Sequence, residues 1–290
     1  MDTRWLYVTA EEFPALRSLA KETCIIPIGC VEKHGLHLPL GQDILAASHI
    51  CWEASKTEPV CVFPDFTFGD ISGGTNPDHG YIEMPLELRN EMLLHFCREI
   101  SRCGFKKIIL YNGHGGNTHW LRSFLRKVDQ EPHDFVACLV NCDLSAPHGM
   151  AKRILEEGSA AFPELNDEDV ALLLKYHEEK LQVGHACFGE TAYMLAVSPE
   201  HVHMDRLGIE SGKSRGLTRK FADAGIFMRD GGWGIDYPNA FCGDHPFGCN
   251  ERIGKAALRM EARRLAKAIK VMKDDEDLLR WNQEKWARFG

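Results

Sequence analysis

No uninterrupted apolar run in this 290-residue sequence approaches the roughly 20 residues of a membrane-spanning helix, so no membrane span is expected. Basic excess is lacking as well: 34 lysines and arginines face 42 aspartates and glutamates, a net charge of −8. A phosphate backbone is bound by a basic face, so nucleic acid is not an expected partner, and solubility alone accounts for the acidic balance. The eleven cysteines are odd in number and include no Cys-x-x-Cys pair, which argues against a disulfide framework or a zinc ribbon. Cys24, Cys30, Cys61, Cys138 and Cys187 sit among apolar neighbours and read as small buried hydrophobes in a reducing, cytoplasmic compartment. The opening Met1-Asp-Thr-Arg-Trp-Leu-Tyr has no long apolar stretch, so a secretory signal is not expected. Repeats and low-complexity linkers are absent too, and residues 1–290 read as one domain.

What the sequence does contain is an ordinary soluble composition, 44% apolar and 26% charged, arranged as alternating strand and helix signals. Thr9-Ala-Glu-Glu12 is a capping-box pattern that opens a helix over residues 10–22. The apolar run 24–31 predicts a strand, 43–57 a helix, 60–63 a short strand and 86–103 a helix ending at Gly104. A strand over 107–111, a helix over 118–130 and a third buried strand over 135–140 follow. Strands separated by helices imply right-handed crossovers and a mostly parallel sheet, with functional loops at the carboxyl ends of the strands. Beyond residue 150 the pattern weakens to helices at 166–181, 190–197 and 251–273, with Gly- and aromatic-rich loops over 227–250.

Metal-capable side chains cluster just after two of these strands. Cys24-Ile-Ile-Pro-Ile-Gly-Cys-Val31 leads into Glu32-Lys-His34-Gly, and Asp43 stands nine residues beyond His34. Lys107-Ile-Ile-Leu-Tyr111 leads into Asn112-Gly-His114-Gly-Gly-Asn117. Carboxylate oxygens and imidazole nitrogens converging at strand ends suit zinc, manganese or iron. Glu32 and His34 are two apart, so an extended backbone turns both to one face. The glycines around His114 allow a tight loop that Asn112 and Asn117 can pin, whereas a phosphate-cradling loop would need a different spacing and a lysine. His185 and Glu190 precede the apolar run Thr191-Ala-Tyr-Met-Leu-Ala-Val197; a loop histidine and a helix cap are the plainer reading of that pair. Glu32, His34, Asp43, His114 and Glu190 nonetheless fill the inventory of a site for two divalent ions.

These motifs resemble the creatininase (creatinine amidohydrolase) family. The resemblance rests on Pro27-Ile-Gly-Cys-Val-Glu32-Lys-His34-Gly-Leu-His37-Leu-Pro-Leu-Gly-Gln-Asp43, on Asn112-Gly-His114-Gly-Gly-Asn117, and on Gly184-His185-Ala-Cys-Phe-Gly-Glu190-Thr191. It implies a three-layer α/β/α fold, two divalent metal ions (zinc, with manganese or iron as alternatives) and a homo-oligomer, often a hexamer. By position, it implies that Asp43 bridges the metals, Glu32 and His114 hold one, and His34 holds the other. The family's second acid falls on Gly116 here, and Glu190 is the candidate to replace it. His185 maps onto the catalytic histidine, with Glu190 either its partner or a metal ligand. His79, with Ser72 in the same polar loop, is the expected substrate contact.

Departures at Gly115, Tyr81-Ile-Glu-Met-Pro85 and Cys187-Phe-Gly189 point away from creatinine itself. The expected activity is hydrolysis of a small cyclic amide, formamide or related small molecule, by metal-activated water with His185 shuttling the proton. Hydrolytic ring opening of a cyclic polyol-derived ketone at the same metals is the alternative within enzymes. A metal-containing ligand-binding or sensing protein without turnover is the alternative outside them. Trp120 is expected in the core. Trp233 fits a pocket wall or an interface.

Overall fold

The computed structural model describes residues 1–71, 77–228 and 232–289. Four strands, β1 (Thr23–Ile28), β2 (Cys61–Val62), β3 (Lys107–Asn112) and β4 (Val136–Asn141), form one sheet in the order β2-β1-β3-β4, every pair parallel. β1 and β3 are apolar at nearly every position because both faces of the sheet are covered. Cys24, Ile26, Ile28, Ile108 and Leu110 pack one face against α1 (Phe13–Leu19), α3 (Leu86–Arg102) and α4 (Asn117–Val128). Ile25, Ile109 and Tyr111, from the alternate positions, pack the other face with α2 (Gln42–Thr57), α5 (Ala146–Glu157), α6 (Asp167–Glu178), α7 (Phe188–Val197) and α10 (Glu251–Asp274). The result is the expected three-layer α/β/α arrangement. Two short helices, α8 (Arg219–Asp223) and α9 (Trp233–Asp236), precede α10, and α11 (Leu278–Phe289) follows it. No helix among the described residues is long and apolar enough to cross a membrane.

The register aligns Ile28 with Asn112 and Asn112 with Asn141, so these strands end level at one edge. From that edge the chain leaves β1 into α2 on one face and leaves β3 into α4 on the opposite face. Adjacent strands whose connections diverge in this way open a crevice at their carboxyl ends. Backbone proximity makes the crevice narrow. A Cβ on Gly29 would lie 2.6 Å from the Ile44 nitrogen, and one on Gly113 would lie 2.6 Å from the Asp43 carbonyl oxygen. Glycine at both positions is therefore what lets the first turn of α2 sit down on the two strand ends, Asp43 with it.

Several boundaries differ from the sequence reading. The helix read over 10–22 begins at Phe13, although the Thr9–Glu12 box forms: the Thr9 N–H donates to Glu12 Oε2 at 2.8 Å and the Glu12 N–H to Thr9 Oγ1 at 3.4 Å. Positive φ at Lys21 and Glu22 turns the chain directly into β1. The strand read over 24–31 stops at Ile28, freeing 29–33 for the site, and the strand of 60–63 shrinks to two residues. β4 is half-buried rather than buried, because it is the edge of the sheet. Helices α5 and α11 lie where no element was read. Trp120 is in the core, as expected, with its Nε1–H donating to Asn90 Oδ1 at 2.8 Å.

Replacing Gly29 by Ala is expected to cost about 1–3 kcal/mol through the clash with Ile44, lowering the melting temperature by about 2–4 °C per kcal/mol. Gly115→Ala, whose Cβ meets nothing within 4 Å, should stay within about 0.5 kcal/mol of the parent. Equal melting temperatures for the two variants would contradict the close approach.

Candidate active site

The five residues after β1 turn back on themselves: the Glu32 N–H donates to the Leu40 carbonyl at 3.1 Å, and His34 bridges to Leu38. This brings Glu32 and His34 over the sheet edge beside Asp43 in the first turn of α2. His114 arrives from the glycine turn between β3 and α4, where its backbone N–H donates to Asn112 Oδ1 at 3.1 Å. Glu190 stands in the first turn of α7, and its Oε2 accepts the Ala186 N–H at 2.5 Å. His185 sits just before that helix. Glu32, His34, Asp43, His114 and Glu190 are each at most 6% exposed.

Asp43 lies between two groups. Its Oδ2 is 3.0 Å from His114 Nδ1, which is also 3.1 Å from Glu32 Oε1. Its Oδ1 is 3.4 Å from His34 Nε2, which is 3.8 Å from Glu190 Oε2. Potential ligand atoms of Cys30, Glu32, Asp43 and His114 lie within 4.8 Å of one another; so do those of His34, Asp43 and Glu190, and those of Glu32, His34 and His185. No hydrogen bond joins Glu190 to His185 among the described residues, so the structure groups Glu190 with His34 and Asp43.

Each imidazole is pinned by a backbone carbonyl, which can only accept. His34 Nδ1 donates to the Glu32 carbonyl (3.1 Å), His114 Nε2 to that of Asp70 (2.9 Å), and His185 Nε2 to that of Lys33 (2.8 Å). The nitrogen left over on each ring therefore faces the carboxylates, the arrangement that orients a metal-binding imidazole. Glu32 Oε1, His34 Nε2 and Asp43 Oδ1 are buried without a hydrogen-bond partner. Orphaned oxygen and nitrogen atoms of this kind fit divalent cations.

Buried charge shapes the titration. Burial pushes Glu32 up and raises Glu190 to about 7. Burial also opposes charge on His34 and His114, but the carboxylates around them outweigh it and hold the rings at about 9 and about 10. Asp43, despite its burial, is held well below the usual carboxylate range by His114 and His34. His185 is pulled well below the ordinary histidine value by burial and by the neighbouring His34, on which its ring stacks at 4.1 Å.

A cavity of about 700 Å³ opens over this cluster. Glu32, His114, His185 and Glu190 form its floor, and Leu144, Cys242, Phe227 and Trp233 supply apolar walls. Trp233 meets His185 edge to face at 5.2 Å, which makes it a wall of the site. Gly115 faces open cavity. At Gly116 a Cβ would lie 2.4 Å from His114 Nε2, so an acid there would displace the histidine as it now sits. His79 lies on the turn Pro77–His79 against Tyr81 and does not border the cavity. Ser72 lies outside the described residues.

Sequence reasoning missed three contributors. Cys30, read as a small buried hydrophobe, is fully buried, yet its S–H donates to Asp43 Oδ2 at 3.0 Å. The available signal was its place two residues before Glu32 in the same motif. Asp70 holds His114 through its carbonyl while its own N–H donates to Asn117 Oδ1 (2.6 Å) and its carboxylate accepts from the buried Arg89 (2.9 Å). Lys33, paired with Glu210 at 2.7 Å, anchors the loop whose carbonyl holds His185. Nothing in their spacing marks the last two.

A sequence model of the Creatininase family, described as creatinine amidohydrolase, matches residues 7–269. The creatinine amidohydrolase of Pseudomonas putida is 22% identical over 210 residues, covering 69% of this chain and 74% of that protein. A mycofactocin precursor peptide peptidase of Mycobacterium ulcerans is 26% identical over 231 residues, covering 76% of this chain and 74% of that one. Among solved structures, a creatininase mutant of Zn-Zn type has a TM-score of 0.69 at 18% identity, covering 95% of this chain and 100% of that one. A manganese creatininase scores 0.68 at 19% identity, with the same coverage.

Because His34 and His114 are held near 9 and 10, both rings carry protons at neutral pH until a cation displaces them. Cation binding is therefore expected to release protons and to tighten as pH rises from 6 to 8. Calorimetry in buffers of different ionisation enthalpy measures this. Binding without proton release at pH 7 would contradict the protonated pair.

Proposed function

This chain belongs to the creatininase family, and on that premise we propose that it is a metal-dependent amidohydrolase that cleaves the carbonyl–nitrogen bond of a small cyclic amide, a formamide or a related amide. The observation that carries the reading is the convergence of three buried carboxylates and three imidazoles, each ring pinned by a carbonyl so that its other nitrogen faces the acids. Residues 1–290 are taken as one catalytic domain.

In this reading Asp43, which faces both groups, would be shared between two divalent ions. Glu32 and His114 would hold one ion, and His34 and Glu190 would hold the other. Zinc is the first candidate, with manganese or iron as alternatives, in line with the zinc and manganese forms of solved creatininases. Ions held there would supply a Lewis acid for the substrate carbonyl and lower the pKa of water.

The protein's own groups do the rest. Glu32, Asp43 and Glu190 balance positive charge at the floor. His185 borders the cavity with Nε2–H fixed on the Lys33 carbonyl, leaving Nδ1, 3.6 Å from Glu32 Oε1, to take up a proton and return it to the leaving nitrogen. Its depressed pKa keeps the ring neutral, and so able to act as the base, before reaction. Trp233 and Leu144, with the exposed Phe227 at the rim, give one side of the cavity an apolar wall.

A second reading of the substrate is favoured by the cavity itself. About 700 Å³ lined by two aromatic rings is space for more than a single small ring, and a larger amide such as a peptide bond flanked by an apolar group fits it. The similarity to a peptide peptidase supports the same direction. Assembly as a homo-oligomer, up to a hexamer, is part of the same reading and is carried over from the family resemblance alone. The eleven free cysteines suit a reducing, cytoplasmic location.

Metal analysis of the purified protein with an amide, lactam, formamide, dipeptide and cyclic-ketone panel is the direct test. Asp43→Ala is expected to lose both bound metal and turnover; full metal content in that variant would remove Asp43 from the shared position. His185→Gln should keep its metal and lose about 10²–10⁴-fold in kcat; loss of metal would make His185 a ligand instead. Activity confined to ketones would favour ring opening, and bound metal without any turnover would favour a sensing protein.

A further inference from the structure

Asp43 is the one acid that touches both halves of the cluster, yet it has few restraints of its own. Glu190 is held by the Ala186 N–H, and each imidazole by a carbonyl. Asp43 receives no backbone N–H among the described residues; what reaches its carboxylate are the rings of His34 and His114 and the thiol of Cys30. Once those rings turn their free nitrogens to cations, as the proposed function requires, only the thiol is left as a donor. Ligating carboxylates are ordinarily hydrogen-bonded in turn, and those partners set both orientation and affinity.

We infer that Cys30 is a positioning residue for the metal pair, its S–H fixing the Asp43 carboxylate so that one oxygen faces each half of the site. The inference rests on the two-metal reading above. Cys30 is fully buried in the turn two residues beyond β1, and its sulfur lies 3.0 Å from Asp43 Oδ2, the oxygen that also meets His114. A carboxylate oxygen has two lone pairs. The thiol takes one and leaves the other for a cation, while Oδ1, which has no hydrogen-bond partner, points toward His34. Cys30, Glu32 and His34 all belong to the short turn that follows β1, so the segment that delivers two ligands also delivers the residue that steadies a third.

The test is zinc affinity of the full-length chain by competition with a chromogenic chelator, for the parent and for Cys30→Ser, Cys30→Ala and Cys30→Val. Serine keeps a donor and is expected to stay within about threefold of the parent. Alanine and valine lack one and are expected to bind about 10–100-fold more weakly. Unchanged affinity in both would overturn the inference, as would recovery by valine but not serine, which would mean that Cys30 merely fills space. The cobalt-substituted parent gives a readout that needs no variant to fold. No thiolate-to-cobalt charge-transfer band is expected; such a band would make Cys30 a ligand and overturn the positioning role. A parent that takes up no zinc would overturn the metal site and this inference with it, whereas a zinc-loaded parent with indifferent Cys30 variants would overturn the inference alone.

Discussion

Glu32, Asp43 and Glu190 are buried together in a volume a few ångströms across, and the surrounding structure depends on how their charge is met. Unpaired buried charge is costly, and like charges at this distance disfavour one another. The protein meets the demand partly by protonating His34 and His114 and partly by keeping Glu32 and Glu190 up toward their neutral forms. Divalent cations answer the same demand more directly.

Only a rigid frame can hold such a cluster together. β1 and β3 supply it as the two buried strands at the centre of a parallel sheet, with their ends aligned by register. Helix α2 is pressed onto those ends because Gly29 and Gly113 have no side chains to keep it away, and Asp43 arrives with its first turn. The carbonyls of Glu32, Lys33 and Asp70 then fix the imidazoles. Backbone atoms rather than side chains thus orient the histidines, which explains how an irregular stretch such as 69–71 can contribute to the site without a recognisable motif.

The cavity adds a second theme. Its floor is the carboxylate and imidazole cluster, while its walls come from Leu144, Phe227, Trp233 and Cys242, far apart in sequence from the floor residues. Cluster and walls can therefore change independently, which is how one fold can serve several substrates. The open space above Gly115 adjoins these walls.

Alternation and punctuation in the sequence were enough for the sheet, most helices and the grouping of Glu32, His34, Asp43 and His114. Each of these follows from local periodicity or from a motif attached to a strand end, and local rules survive folding. Helices α5 and α11, the edge position of β4 and the roles of Asp70 and Lys33 were not legible, because they depend on which surfaces meet. Cys30 lies on the border: its nearness to Glu32 pointed to the site, but its apolar neighbours favoured a core reading, and only the approach of α2 gave its thiol a partner. The sequence by itself determined which donors this protein owns and the strand ends they follow. Tertiary structure alone decided that they converge, with Asp43 at the centre and Glu190 beside His34, because convergence is a property of two glycine-thin strand ends meeting one helix and not of any segment taken alone.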